Sequence, residues 1–182
     1  LSAPPSIPQA ETGTGVILSI TPPSGEALTY TQVYEKAAPS IAALTAYSAG
    51  MVSTGTGIVL TADGYIVTNA HIIAGAEQVN VTLSDDSLWS AQLVGFEPLE
   101  DLAVLKIDAS GLTPAQFGDD TLLRSGDPVS AIGNPMGYRS TITPGIVSAL
   151  DQPVSVEGTT MYLLQTSAAI NYGSSGGALL ND

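Results

Sequence analysis

A single histidine, His71, stands in Thr68-Asn-Ala-His71-Ile-Ile-Ala-Gly75, directly after the strand-like run YIVTN. A neutral imidazole near pH 7 can take a proton from a hydroxyl and later return it to a leaving amine. A hydroxyl in a suitable setting lies far along the chain, in Asn171-Tyr-Gly-Ser-Ser-Gly-Gly-Ala-Leu-Leu180. The glycines at 173, 176 and 177 permit a tight, partly positive-φ path. Such a path exposes one serine oxygen and aims consecutive N–H groups at a single point, as an acyl-transfer nucleophile beside an oxyanion hole requires. The third stretch, Pro98-Leu-Glu-Asp101-Leu-Ala-Val-Leu-Lys-Ile, sets an acid at the mouth of an apolar strand. A carboxylate there can accept from the second imidazole nitrogen and fix its tautomer. Glu100 competes for that role, but only Asp101 abuts the strand. Taken singly, each stretch also has a plainer reading: a Gly/Ser turn, a hydrogen-bonded histidine at a strand end, an aspartate capping a strand.

The surrounding sequence has to bring these groups together, and its texture is that of short strands. IAALTAY, TGIVLTA, YIVTN, VNVTL, LWSAQLVGF and LAVLKI follow one another from residue 41, separated by turn signals such as Ala62-Asp63-Gly64 and Ser84-Asp85-Asp86. The Gly/Pro-containing bridge Asp108-Ala-Ser-Gly-Leu-Thr-Pro114 separates them from DPVSAIGN, TITPGIVSAL, TMYLLQT and GALLN. Two successive all-β units predict two small barrels side by side, the first over residues 40–110 and the second over 111–182. Residues 1–30 are rich in Pro, Ser, Thr and Gly, apart from the apolar patch Val16 to Ile20, and read as a flexible arm able to add a strand. Residues 31–39 read as a short helix with Thr31 as N-cap, Tyr34 and Ala37–Ala38 turned inward, and Pro39 as its stop.

Composition narrows the chemistry. The 182 residues are 44% hydrophobic and 12% charged, with 19 Gly and 12 Pro, which is globular rather than disordered usage. Seventeen acidic residues against four Lys and Arg give a net charge of −13, so phosphate backbones and anionic lipid surfaces would repel the chain. The absence of cysteine excludes disulfides, thiol catalysis and cysteine-ligated zinc. With one histidine there is no multi-histidine metal site. No run approaches the roughly 18–20 apolar residues of a membrane helix.

Order and spacing turn three weak signals into one. The motifs TNAHII, DLAVLKI and GSSGGALLN, in the chain order His, Asp, Ser, resemble those of the bacterial HtrA/Deg peptidases, a branch of the trypsin-like fold. STGTGIVLTADGYIVTNAH is similar to that family's first barrel core, and SAIGNPMG and TPGIVSAL to its second-barrel strands. LQTSAAIN is similar to the approach to its nucleophile loop, and VYEKAAPSI to its opening helix. The resemblance runs from about residue 31 to 182. It implies an all-β fold of two antiparallel six-stranded-type barrels with the active site in the cleft between them. It also implies a serine endopeptidase acting on unfolded or damaged polypeptides, with Ser175 as nucleophile, His71 as general base and then acid, and Asp101 as the orienting carboxylate. Gly173, Ser174 and Ser175 would line the oxyanion hole, with the Gly173 and Ser175 N–H groups as donors. No metal or organic cofactor and no nucleic-acid partner is implied.

The chain departs from the family pattern twice. Ser174 occupies the place where members carry Asn or Asp. Two further strands that close the second barrel in the family have no counterpart before Asp182, so an incomplete second barrel, in a fragment weak or inactive in hydrolysis, is expected. No PDZ domain is expected within residues 1–182. A homotrimer assembled through residues 1–30, and a membrane tether through an anchor upstream of them, follow from the resemblance. The expected location is the outer face of a Gram-positive-like envelope, with the periplasm as the alternative. A different class, a catalytically silent module that captures extended peptides by strand addition, stays open at this point. A phosphate-binding loop does not, because no Lys follows the Gly-Ser run.

Overall fold

The structure is a computed structural model that describes residues 3–11, 16–22, 25, 27–134, 140–156 and 159–181. Pro135, Met136 and Gly137 of the SAIGNPMG motif, and Asp182, lie outside the described residues.

Seven strands make the first sheet. They are β1 (Ile41–Ser48), β2 (Met51–Val59), β3 (Tyr65–Thr68), β4 (Gln78–Thr82), β5 (Leu88–Ser90), β6 (Gln92–Glu97) and β7 (Leu102–Lys106). Their order is β5-β4-β1-β2-β3-β7-β6, all neighbours antiparallel. The two ends of that order are one continuous stretch: only Ala91 separates β5 from β6, and its N–H still bonds Val79 O of β4 at 2.9 Å. Residues 88–97 therefore pair with β4 at one end and β7 at the other, and the sheet closes into a six-position barrel. A register shift between Leu93 and Gly95 eases the bend. Alternate side chains point inward, as the two-residue strand period demands. Leu44, Val59, Ile66, Val79, Val81 and Leu105 are each no more than 1% exposed, and each such side chain contributes about 1.5–3 kcal/mol by leaving water.

The second sheet is β8 (Pro128–Gly133), β9 (Thr141–Val156), β10 (Thr159–Thr166) and β11 (Ala178–Leu180), in the order β10-β9-β8-β11. Among the described residues it is open, with β10 and β11 as edges. Its apolar surface is correspondingly less covered: Tyr162, Leu163, Ile146 and Leu179 are all exposed.

Four expectations need correction. The helix α1 (Tyr30–Ala37) starts one residue early, because Thr29 and not Thr31 is its N-cap. Thr29 and Gln32 form a capping box, in which the Gln32 carboxamide accepts the Thr29 N–H at 2.9 Å. That exchange needs a partner three residues on, which Thr29 has in Gln32. Val33, rather than Tyr34, is the buried residue of this helix. The Tyr34 hydroxyl instead donates to Ser140 O at 3.1 Å. The arm is also less free than its composition suggests. Ser6 N–H bonds Ala76 O at 2.7 Å, Ala10 N–H bonds Leu93 O at 2.8 Å, and Leu93 N–H bonds Pro8 O at 2.8 Å. Ile7 is buried in the barrel core. One apolar side chain and a bridge to β6 are enough to dock this piece. The Val16 to Ile20 patch stays outside the core, with Ile17 94% exposed. Finally, β2 begins at Met51, five residues before the TGIVLTA run, pairing its exposed half with the end of β1.

Candidate active site

Strand β3 delivers the chain into a four-residue helix, α2 (Ala70–Ile73). Ala70, Ile72 and Ile73 are buried, so the apolar neighbours anchor the turn and leave His71 pointing outward, its side chain 53% exposed. Asp101 ends the turn before β7, whose Ala103 and Leu105 are core residues. It holds φ at 53°, a left-handed conformation that Asp tolerates better than most side chains. In that conformation both carboxylate oxygens face His71. Oδ1 accepts the His71 main-chain N–H at 2.9 Å, and Oδ2 lies 2.7 Å from Nδ1. A carboxylate only accepts, so Nδ1 carries the proton and the Nε2 lone pair is left as a base. The Asp101 carbonyl also accepts from Ala70 N–H and the Asn69 carboxamide, at 3.1 and 3.0 Å. Helix and turn are thus tied side chain to main chain in both directions. Glu100, the competing acid, is exposed.

The Gly/Ser run is a compact turn. Gly173 and Gly176 have φ of 88° and 81°. Ser174 N–H donates to Asn171 O at 3.0 Å, and Gly177 N–H to Ser174 O at 2.9 Å. Among the described residues, the N–H groups of Gly173 and Ser175 have no acceptor. Of the three residues expected to line an oxyanion hole, Ser174 has its N–H committed inside the turn. The donors left are those of Gly173 and Ser175.

This turn is seated on the first barrel. Thr56 N–H donates to Ser175 O at 2.8 Å, and Thr56 Oγ1 donates to Gly173 O at 2.7 Å. A side chain at Gly176 would strike the Thr56 carbonyl and the Thr68 hydroxyl. Thr68 stands three residues ahead of His71, so the Ser175–Gly176 backbone and the His71 helix share one strand end. Among the described residues, the His71 ring is bonded to Asp101 and no hydrogen bond joins it to Ser175. Thr56 and Thr68 escape a reading of the sequence alone, because the strand runs TGIVLTA and YIVTN do not show that these two buried threonines meet the Gly/Ser turn. No group of three or more His, Cys, Asp or Glu is placed to hold a metal among the described residues.

A closed antiparallel barrel, a second antiparallel sheet, an Asp–His pair, and a Gly/Ser turn seated on the strand that leads to the histidine together match the architecture of the trypsin-like peptidases. Residues 55–182 match the trypsin-like peptidase domain, and the chain belongs to that family. Serine protease PepD of Mycobacterium tuberculosis is 40% identical over 196 residues, covering 99% of this chain and 39% of that protein. The probable periplasmic serine endoprotease DegP-like of Pseudomonas putida is 43% identical, covering 71% of this chain and 27% of its own length. Among solved structures, the HtrA-type protease AlgW with tripeptide superposes with a TM-score of 0.79 at 42% identity. That match covers 85% of this chain and 51% of the other. A serine endoprotease from Yersinia pestis gives a TM-score of 0.74 at 39% identity, covering 86% and 54%. The chain spans under half the length of these curated relatives.

Proposed function

We propose that the chain supplies the peptide-bond-cleaving machinery of a serine endopeptidase acting on extended polypeptides. The observation that carries this reading is the two-point grip of Asp101 on His71, which occupies Nδ1 and leaves Nε2 without a protein partner among the described residues. Ser175 Oγ attacks the substrate carbonyl carbon while its proton passes to Nε2. The developing oxyanion is met by the two unclaimed N–H groups of Gly173 and Ser175. Nε2 then protonates the leaving amine as the C–N bond breaks, giving an ester on Ser175. Water, deprotonated by the same nitrogen, hydrolyses that ester and restores the serine. Asp101 stays ionised throughout and stabilises the imidazolium. Substrates are unfolded or damaged proteins, and the site of action is the cell envelope, on its outer face. The exposed residues of the 16–20 patch supply apolar surface for assembly into a homotrimer.

The test is treatment of the full-length chain with a serine-directed fluorophosphonate, followed by peptide mapping. One adduct, on Ser175 and abolished by Ser175→Ala, is expected. No adduct, or one that persists in Ser175→Ala, would refute the reading and leave peptide capture without chemistry as the function.

A further inference from the structure

Thr56 is fully buried in β2, outside the apolar cluster of the barrel, and each of its polar groups has a partner, two of them in the Gly/Ser turn. Its hydroxyl accepts the Asn134 N–H at 2.9 Å. A hydroxyl that accepts there has its own proton free for a second partner, and that partner is Gly173 O at 2.7 Å. Its N–H reaches Ser175 O, and its carbonyl receives the Thr68 hydroxyl at 2.7 Å. Two of these bonds reach the Gly/Ser turn, one on each side of a middle peptide unit that the turn holds by itself. The Gly173–Ser174 unit is held at its carbonyl by Thr56 and at its N–H by Asn171 O. The Ser174–Ser175 unit is held at its carbonyl by Gly177 N–H. The Ser175–Gly176 unit is held at its carbonyl by Thr56 N–H. What remains without a partner in the middle is the Ser175 N–H. With glycines at 173 and 176, the turn has little intrinsic preference for that arrangement.

We infer that Thr56 is a positioning residue whose hydroxyl and main-chain N–H clamp the Gly173–Ser174 and Ser175–Gly176 peptide units, so that the Gly173 and Ser175 N–H groups converge on one oxyanion. The clamp rests on the assignment of Ser175 as nucleophile. It acts across the cleft, from the first barrel onto the second sheet. The barrel therefore contributes to the oxyanion hole without donating to it. Thr suits this place better than Ser, because β-branching restricts χ1 in a strand and fixes the hydroxyl's direction.

The experiment compares Thr56→Val, Thr56→Ala and Thr56→Ser with the wild-type full-length chain. It measures kcat and KM on a peptide amide, the rate of fluorophosphonate labelling at Ser175, and the folded fraction at the assay temperature. Valine keeps the shape and removes both hydroxyl bonds. Alanine leaves room for a water in their place. Expected, per folded molecule, is a fall in kcat of roughly 10²-fold with KM within about twofold, in Val or Ala, as for loss of an oxyanion donor. Thr56→Ser should recover most of kcat. A kcat within twofold of wild type in folded Val or Ala would overturn the clamp, as would a loss that serine does not rescue. So would failure of both Val and Ala to fold, since the hydroxyl would then be a general stabiliser. Absence of labelling at Ser175 in the wild type would sink the assignment of Ser175 instead.

Discussion

Asp101 combines an unusual backbone with a complete set of hydrogen bonds, and the two are linked. Its φ of 53° turns the carboxylate back toward α2, where one oxygen meets the His71 main chain and the other the ring. Asn is the replacement of choice, because it also tolerates the left-handed region and preserves the shape. Its amide can accept from only one of the two donors, so either the ring or the main-chain bond is lost and Nδ1 no longer stays reliably protonated. Asp101→Asn is expected to fold and to lose about 10⁴ in kcat, read from peptide hydrolysis at saturating substrate. Retention of a tenth of the wild-type rate would show that the acid is only structural. The sequence made this residue legible through its place at the mouth of LAVLKI. The proposed oxyanion donors were less so: which N–H in Gly173-Ser174-Ser175 is spent inside the turn depends on the reach of Asn171 O, and no residue type encodes that. Thr56 was not legible as a site residue, because nothing in the strand run TGIVLTA says which side chain meets a turn 117 residues further on.

At the scale of elements, local signals transferred well where the partner is near in sequence. The Ser84-Asp85-Asp86 turn between β4 and β5 is where its residues put it. Asp85 Oδ1 accepts from both the Ser87 hydroxyl and the Ser87 N–H, at 2.5 and 3.0 Å, and the Ser87 hydroxyl in turn accepts from Trp89 Nε1 at 2.9 Å. The Ser87 hydroxyl first, and its N–H second, hold the Asp85 carboxyl below the usual aspartate range. A carboxylate with a lowered folded pKa stabilises the fold above its unfolded value, and that contribution disappears as pH falls through the folded one. Asp85→Ala should therefore melt below the wild type by a constant margin from pH 5 to 8. The margin should close from about pH 4 downward. Melting curves of the two proteins across that range check it, and a margin that widens in acid would contradict the assignment. What could not be read at this scale is closure. Nothing in LWSAQLVGF says that its first half pairs with β4 and its second with β7, since both partners are distant and the splice at Ala91 has no turn residue.

The proposed mechanism requires that the Gly/Ser turn of the second sheet sit on the first barrel, and one glycine controls that approach. Gly176 has φ of 81°, and any Cβ there would run into the Thr56 carbonyl and the Thr68 hydroxyl. Neither atom is the loose end of a flexible side chain: one is strand backbone, and the other belongs to a β-branched residue bonded to it. Gly176→Ala thus adds a conformational cost of about 1–2 kcal/mol to a collision that only a shift of the turn relieves. The barrel itself has its own closed hydrogen-bond network and its own core, so it has no reason to unfold with the turn. Trp89, the single tryptophan, belongs to that barrel and reports on it separately. In Gly176→Ala the tryptophan emission should keep its wild-type wavelength while fluorophosphonate labelling of Ser175 slows by roughly 10²-fold or more, the scale of losing an oxyanion donor. Labelling at the wild-type rate would mean that the seating of this turn against Thr56 and Thr68 does not govern the reactivity of the serine.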